Sequence, residues 1–230
     1  MQISSKYELE KAAIEFGILP FFRNKIIGFS VQELAAPGKL FGLTDDDDGC
    51  WEWKGPVIQE QTTAYGKFFN KKAGFVSKHL LPDFLNYRRY KYPVAENSIE
   101  HIILDIVKSK GGTTSSELRS EIFGKPVRKR RAEDLVDLLV KPTNRHSIEG
   151  PLQRLQMGGH LLIADFEYKF SRQGKRIGWG VALYSTPELW FEENFKLNER
   201  TPEESFDFLV KSVKERLREV PRSLIENLLR

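Results

Sequence analysis

Between Ile148 and Phe191 the chain reads IEGPLQRLQMGGHLLIADFEYKFSRQGKRIGWGVALYSTPELWF, and this stretch leaves few ways to fold. Leu152 and Leu155 fall on one side of a short amphipathic helix that must stop at Gly158–Gly159. Two β-like runs follow, His160–Phe170 and Ile177–Ser185, on either side of a polar, glycine-containing tip, Ser171–Arg176. That order predicts a hairpin whose loop carries Arg172, Lys175 and Arg176.

The residues upstream supply what such a helix and hairpin need. Ile99–Lys108 sets Ile99, Ile102, Ile103, Ile106 and Val107 on one helical stripe, and Gly111–Gly112 ends it. Thr114 or Ser115 then caps a second helix through Leu118 and Ile122. Helix, Gly-Gly-Thr-Thr turn, helix, third helix and hairpin is the order of a winged helix-turn-helix. Ile102, Leu118, Leu155 and Ile163 are therefore expected in one core. Pro93–Asn97 marks a boundary, so the expected fold class is α/β (α+β), with a small aromatic-rich α+β region over 1–95 and a winged-helix domain with C-terminal helices over 96–230.

In the first region, Leu9, Ala12, Ala13 and Phe16 have helical spacing behind Ser4 or Ser5, and Ser30 starts a short helix through Ala35. Asp45–Asp48 forms an acidic loop, readable as solvated or as a weak divalent-cation site without calcium-loop spacing. Cys50–Phe69, CWEWKGPVIQEQTTAYGKFF, is expected to form short β-runs at tight turns, with Trp51 and Trp53 on one face. Trp51, Phe68 and Phe75 are expected to be buried. Ser77 is expected to cap a helix to Leu85, followed by NYRRYKY, whose rings and cations suit either base stacking or an amphipathic element packing its rings inward. Near the other end, Thr201 and Pro202 open a helix with Phe206, Leu209, Val210, Val213 and Leu217 on its buried side, and Pro221 starts a last helix.

Charge narrows the partners. The whole chain carries a formal +4, but Lys125, Arg128, Lys129, Arg130 and Arg131 crowd five cations into seven positions, ahead of an expected helix over Ala132–Val140. Alone, that run reads equally as a solvated loop or a phosphate contact; with the hairpin tip it points to duplex DNA. One cysteine, Cys50, excludes an internal disulfide framework, and MQISSKYELEKAAIEF lacks the apolar core of a signal peptide, so a cytoplasmic protein without a membrane partner is expected. The histidines at 79, 101, 146 and 160 have no ligand spacing, so neither a metal nor another cofactor is expected, and His160 reads as a hydrogen-bonded structural residue.

At WEWKGP, AYGKFF, KAGFVS, LQRLQM, ADFEYK and GWGVALYSTPE the chain resembles winged-helix proteins related to the AlkZ and YcaQ DNA glycosylases, especially their shorter relatives, from about Phe22 onward. The resemblance implies stacked winged helices on DNA and, in the enzymes, a Gln-x-Gln or Gln-x-Asp pair that positions the attacking water. Gln59–Glu60–Gln61 carries those letters, and in a strand both amides would share one side. Three readings follow: a DNA-binding protein of that lineage, a glycosylase using Gln59 and Gln61, and a protein-interaction module built on the same fold.

Overall fold

The computed structural model of the chain describes residues 1–42, 48–124, 147–173, 176–192 and 198–230. Helix α1 (Lys6–Phe16) starts where the Ser5 side chain accepts a hydrogen bond from the Glu8 amide and stops at Gly17. The chain then enters β1 (Ile18–Pro20), and Ser30 caps the short α2 (Val31–Leu34).

Cys50–Gln59 is a helix, α3, and not the β-runs expected there. Cys50, Lys54, Val57 and Ile58 recur at helical spacing and are all buried, and Glu52 accepts from the Gly49 amide 3.1 Å away at the first turn. Burial of that stripe against α1 outweighs the amide that Pro56 lacks. Trp51 and Trp53 consequently diverge around the helix; each is half-buried, and Trp51 meets Phe21, Phe22 and Phe41 edge-on or tilted.

Strands β2 (Thr63–Phe69) and β3 (Lys72–Ser77) form a hairpin whose turn residues Asn70 and Lys71 both have positive φ, 47° and 68°. With β1 they make an antiparallel sheet of order β1-β3-β2, in which Tyr65 pairs with Phe75 and Ile18 with Val76. Phe68 and Phe75 are buried as expected. Helix α4 (Leu81–Lys91) starts after Leu80 instead of at Ser77, because Pro82 sits in the first turn, where its missing amide costs nothing, and the helix runs on through the Tyr/Arg segment. Arg88 of that segment is buried, whereas Tyr90 is 66% exposed.

The second group begins with α5 (Ile99–Lys110), capped by Ser98 and ended by Gly111 at φ 74°. Then come β4 (Thr113–Thr114), α6 (Ser115–Phe123) with a Thr114/Glu117 capping box, α7 (Glu149–Met157), β5 (Leu162–Phe170) and β6 (Arg176–Ser185). These strands form an antiparallel sheet of order β4-β6-β5. Ile103, Leu118, Leu152 and Leu155 share a small core, as the periodicity indicated. Two members of the expected core lie elsewhere. Ile102 is 43% exposed, since the buried side of α5 is centred on Ile103, Leu104 and Val107, and Ile163 joins the larger core, because β5 turns that part of its length toward β2.

Helices α8 (Pro187–Phe191), α9 (Pro202–Arg216) and α10 (Arg222–Leu229) complete the chain, with Thr201 capping α9 as expected. Helix α9 packs across α4: Tyr87 and Phe206 have ring centroids 4.5 Å apart, and Arg200 Nη1 lies 3.0 and 2.9 Å from the two carboxylate oxygens of buried Asp83.

One buried cation joins these parts. Arg88 Nη2 donates to Phe68 O at 2.7 Å, Nε to Met157 O at 2.6 Å, and Nη1 to Leu229 O and Arg230 O at 3.0 and 2.7 Å. Removing the guanidinium takes the donor from two buried carbonyls, those of Phe68 and Leu229. Arg88→Met is expected to destabilise the protein by about 3–5 kcal/mol in chemical denaturation, against less than about 0.5 kcal/mol for the exposed Tyr90→Ala on the same helix.

Candidate nucleic-acid interface

The β5–β6 hairpin is anchored at its base and exposed at the described residues Phe170 and Arg172 near its tip. Leu162, Ile163 and Ala164 are buried in the larger core, and Lys54 Nζ of α3 lies 3.8 Å from the Trp51 ring centroid and 4.3 Å from that of Phe166, a cation bridging helix and strand. Beyond two register shifts, between Ile163/Asp165 and Glu167/Lys169, the strands continue to the pair Phe170–Arg176. There Phe170 is 60% exposed, Arg172 is exposed, and Gln173 N donates to Ser171 Oγ at 3.3 Å. The hairpin therefore projects an aromatic ring and a cation away from the packed body. Lys175 lies outside the described residues; Arg176 is placed in β6 by its backbone, and its side chain lies outside them. Lys125, Arg128, Lys129, Arg130, Arg131, the segment Ala132–Val140 and most of the acidic loop lie outside as well.

Helix α7 is held on two sides. Leu152 and Leu155 enter the small core, while Gln156, also buried, accepts from the Lys67 amide of β2 at 3.1 Å and donates to Leu152 O at 3.2 Å. Its outer residues are engaged in ion pairs: Arg154 Nε with Glu100 at 2.7 Å, and Glu149 with Arg119. Hydrogen bonds to Ser147 and to main-chain amides, helped by Arg119, hold the Glu149 carboxyl below its usual range.

Gln59 and Gln61 do not share a strand. Gln59 is the last residue of α3, and Gln61 lies in the following turn at φ 54°, because the chain reverses there to start β2. Gln59 Nε2 donates to Ala164 O and Gln61 Nε2 to Trp190 O, each at 2.8 Å, so the amides brace β5 and the end of α8. Gln61 also lines a cavity of about 730 Å³ with Glu15, Lys78, His79 and Arg216; Gln59 is not on its wall. Glu60 between them pairs with Lys6 at 2.7 Å.

Among the described residues no group of histidine, cysteine and carboxylate side chains could hold a metal, and no helix is long and apolar enough to cross a membrane. Cys50 is buried, and desolvation pushes its thiol up to about 11. His160 Nε2 lies 2.8 Å from Tyr92 O, a structural hydrogen bond of the kind its position suggested. The sequence reading missed the buried polar contacts made by Arg88, Lys54 and Gln156, since each partner lies on another element.

A model of the family described as AlkZ related matches residues 3–230. The chain belongs to the AlkZ-related family. Among solved structures it is similar to the Streptomyces sahachiroi DNA glycosylase AlkZ, with 10% sequence identity and a TM-score of 0.45 over 92% of this chain and 57% of that one. The chain thus spans little more than half the length of that protein. No curated protein matches the sequence. The family resemblance placed from about Phe22 onward therefore extends over the first helix as well.

Burial lowers the His160 pKa, so the folded protein resists protonating a ring that the unfolded chain protonates freely. The unfolded state then binds more protons below its own value of about 6.5, and stability falls as pH drops through that value. The wild type is expected to lose more stability than His160→Gln between about pH 7.5 and 5.5 by urea titration; parallel losses would contradict this assignment.

Proposed function

We propose that this AlkZ-related chain is a DNA-binding protein of the DNA-repair glycosylase lineage, that 96–230 forms a winged-helix domain against an N-terminal region over 1–95, and that it docks on duplex DNA through its hairpin. The observation that carries this reading is the unit α5-β4-α6-α7-β5-β6 with strand order β4-β6-β5, from which an exposed Phe170 and Arg172 project. Three helices and a three-stranded sheet in this order support the winged-helix reading, and the segment Lys125–Arg131 adds cations to the same unit in sequence. Because α7 has its inner side buried and its outer charges paired, the wing is favoured over that helix as the contact. Such binding is electrostatic, positions the protein on phosphates, and discriminates little between sequences.

Salt titration of duplex binding tests the proposal. Each phosphate neutralised contributes about 0.9 to the slope of log affinity against log salt, so Arg172→Ala/Lys175→Ala/Arg176→Ala should weaken binding and reduce that slope by about 2–3. Binding that is absent, salt-insensitive or unchanged in the variant would sink the reading.

A second reading, base excision with Gln59 and Gln61 positioning water, draws on the family and on the cavity that Gln61 lines beside His79 and Glu15. Incubation with a duplex carrying an alkylated base is decisive for it: release of the base by the wild type, lost by about 100-fold or more in Gln61→Ala of unchanged circular dichroism, favours the enzyme. No release from such a duplex favours binding alone.

A further inference from the structure

A second cavity, of about 620 Å³, opens on the N-terminal body between the loop after β1, the β2–β3 turn and α10. Its floor is apolar: Ile26, Phe69 and Leu228 are buried, and Phe22 presents a half-buried ring. Its rim is cationic, with Arg23, Lys25 and Lys72 all exposed and, among the described residues, no acid on the wall. Lys72 Nζ donates to Arg23 O at 3.1 Å, which brings two of these cations to the same edge although they are 49 positions apart in the chain. Glu226, the acid beside the wall residue Asn227, is engaged by Arg222 at 2.7 Å and Arg230 at 3.4 Å. Among the described residues that line the cavity, the rim cations thus face no acidic side chain.

The loop is shaped before any ligand arrives. The Asn24 side chain accepts from Ile26 N at 2.8 Å and donates to Phe29 O at 2.7 Å, while Arg23 N donates to Gln32 Oε1 at 3.1 Å. Asn70 and Asn227, by contrast, are exposed on the wall, and among the described residues their side-chain amides have no hydrogen-bond partner. An aromatic and aliphatic floor takes a flat ring, free amides read the polar edge of a heterocycle, and a basic rim neutralises an attached phosphate. Inorganic phosphate alone would use the rim and leave the floor wet.

We propose that this cavity binds a nucleoside monophosphate unit, with the base against Phe22 and between Asn70 and Asn227, and the phosphate held by Arg23, Lys25 and Lys72. The unit is supplied either as a free mononucleotide or as a terminal nucleotide of a DNA strand. The proposal stands apart from the wing, which uses none of these residues.

Calorimetric titration with deoxyadenosine 5′-monophosphate, deoxyadenosine and inorganic phosphate tests it. The nucleotide should bind at least about tenfold more tightly than either fragment. Arg23→Ala/Lys25→Ala should weaken the nucleotide about tenfold or more with little effect on deoxyadenosine, and Asn227→Leu should erase its advantage over inorganic phosphate. These positions are exposed, so the variants should keep the wild-type melting temperature. A 5′-phosphorylated single-stranded oligonucleotide that competes with the nucleotide assigns the strand as source; nucleotide binding without such competition assigns the free molecule. Arg172→Ala/Lys175→Ala/Arg176→Ala should retain nucleotide binding, so failure of the wing reading leaves this one intact. The absence of nucleotide binding, or equal binding of nucleotide and inorganic phosphate, overturns it.

Discussion

Arg88 is the interaction on which the arrangement depends, and the notable point is what neutralises it. Its acceptors include no side-chain carboxylate; they are main-chain oxygens from the end of β2, the end of α7 and the end of α10. Carbonyls in the last turn of a helix lack amide partners and carry the negative end of the helix dipole. Two helices therefore aim their negative ends at one guanidinium, whose planar fork can reach several acceptors at once. The same contacts give helix-end oxygens a donor, and the bond to Leu229 O is fully buried.

That junction has a functional corollary. Helix α7 is pinned by Arg88 through Met157 O and by Gln156 against Lys67, and its apolar side serves the small core. Entering a DNA groove would require breaking ion pairs on its outer side. The hairpin bears the opposite combination, a buried base fastened by Lys54 and Phe166 and a tip with an exposed ring and cation. Division of labour between a packed root and an exposed outer part suits a contact that must reach without deforming its support.

The parts of this fold that were legible in the sequence are those set by nearest neighbours. Ser5, Ser30, Ser98 and Thr201 cap helices because a hydroxyl three residues ahead of an amide is enough, and Gly111 ends α5 because it accepts a left-handed backbone. The hairpin was visible from its two runs and its tip. Helix α3 was not, because Gly55–Pro56 is a strong local break signal, overridden here by a stripe buried against α1. The side-by-side placing of Gln59 and Gln61 failed for the same reason, the turn following that helix. Contacts such as Gln59 to Ala164, 105 positions apart, leave no mark in local patterning, and neither does a rim that brings Arg23 beside Lys72.

The reach of Arg88 also bears on the order in which the protein can form. Its bond to Leu229 spans 141 positions, and α9 and α10 both settle on the N-terminal body. A ribosome that has made everything through α7 has produced most of the larger core but not the carbonyls of α10. Until those arrive, the guanidinium sits at a surface that is still wet, and closure of that surface is a late, non-local event of the kind that slows folding. The N-terminal body is thus made before α10 and finished only after it.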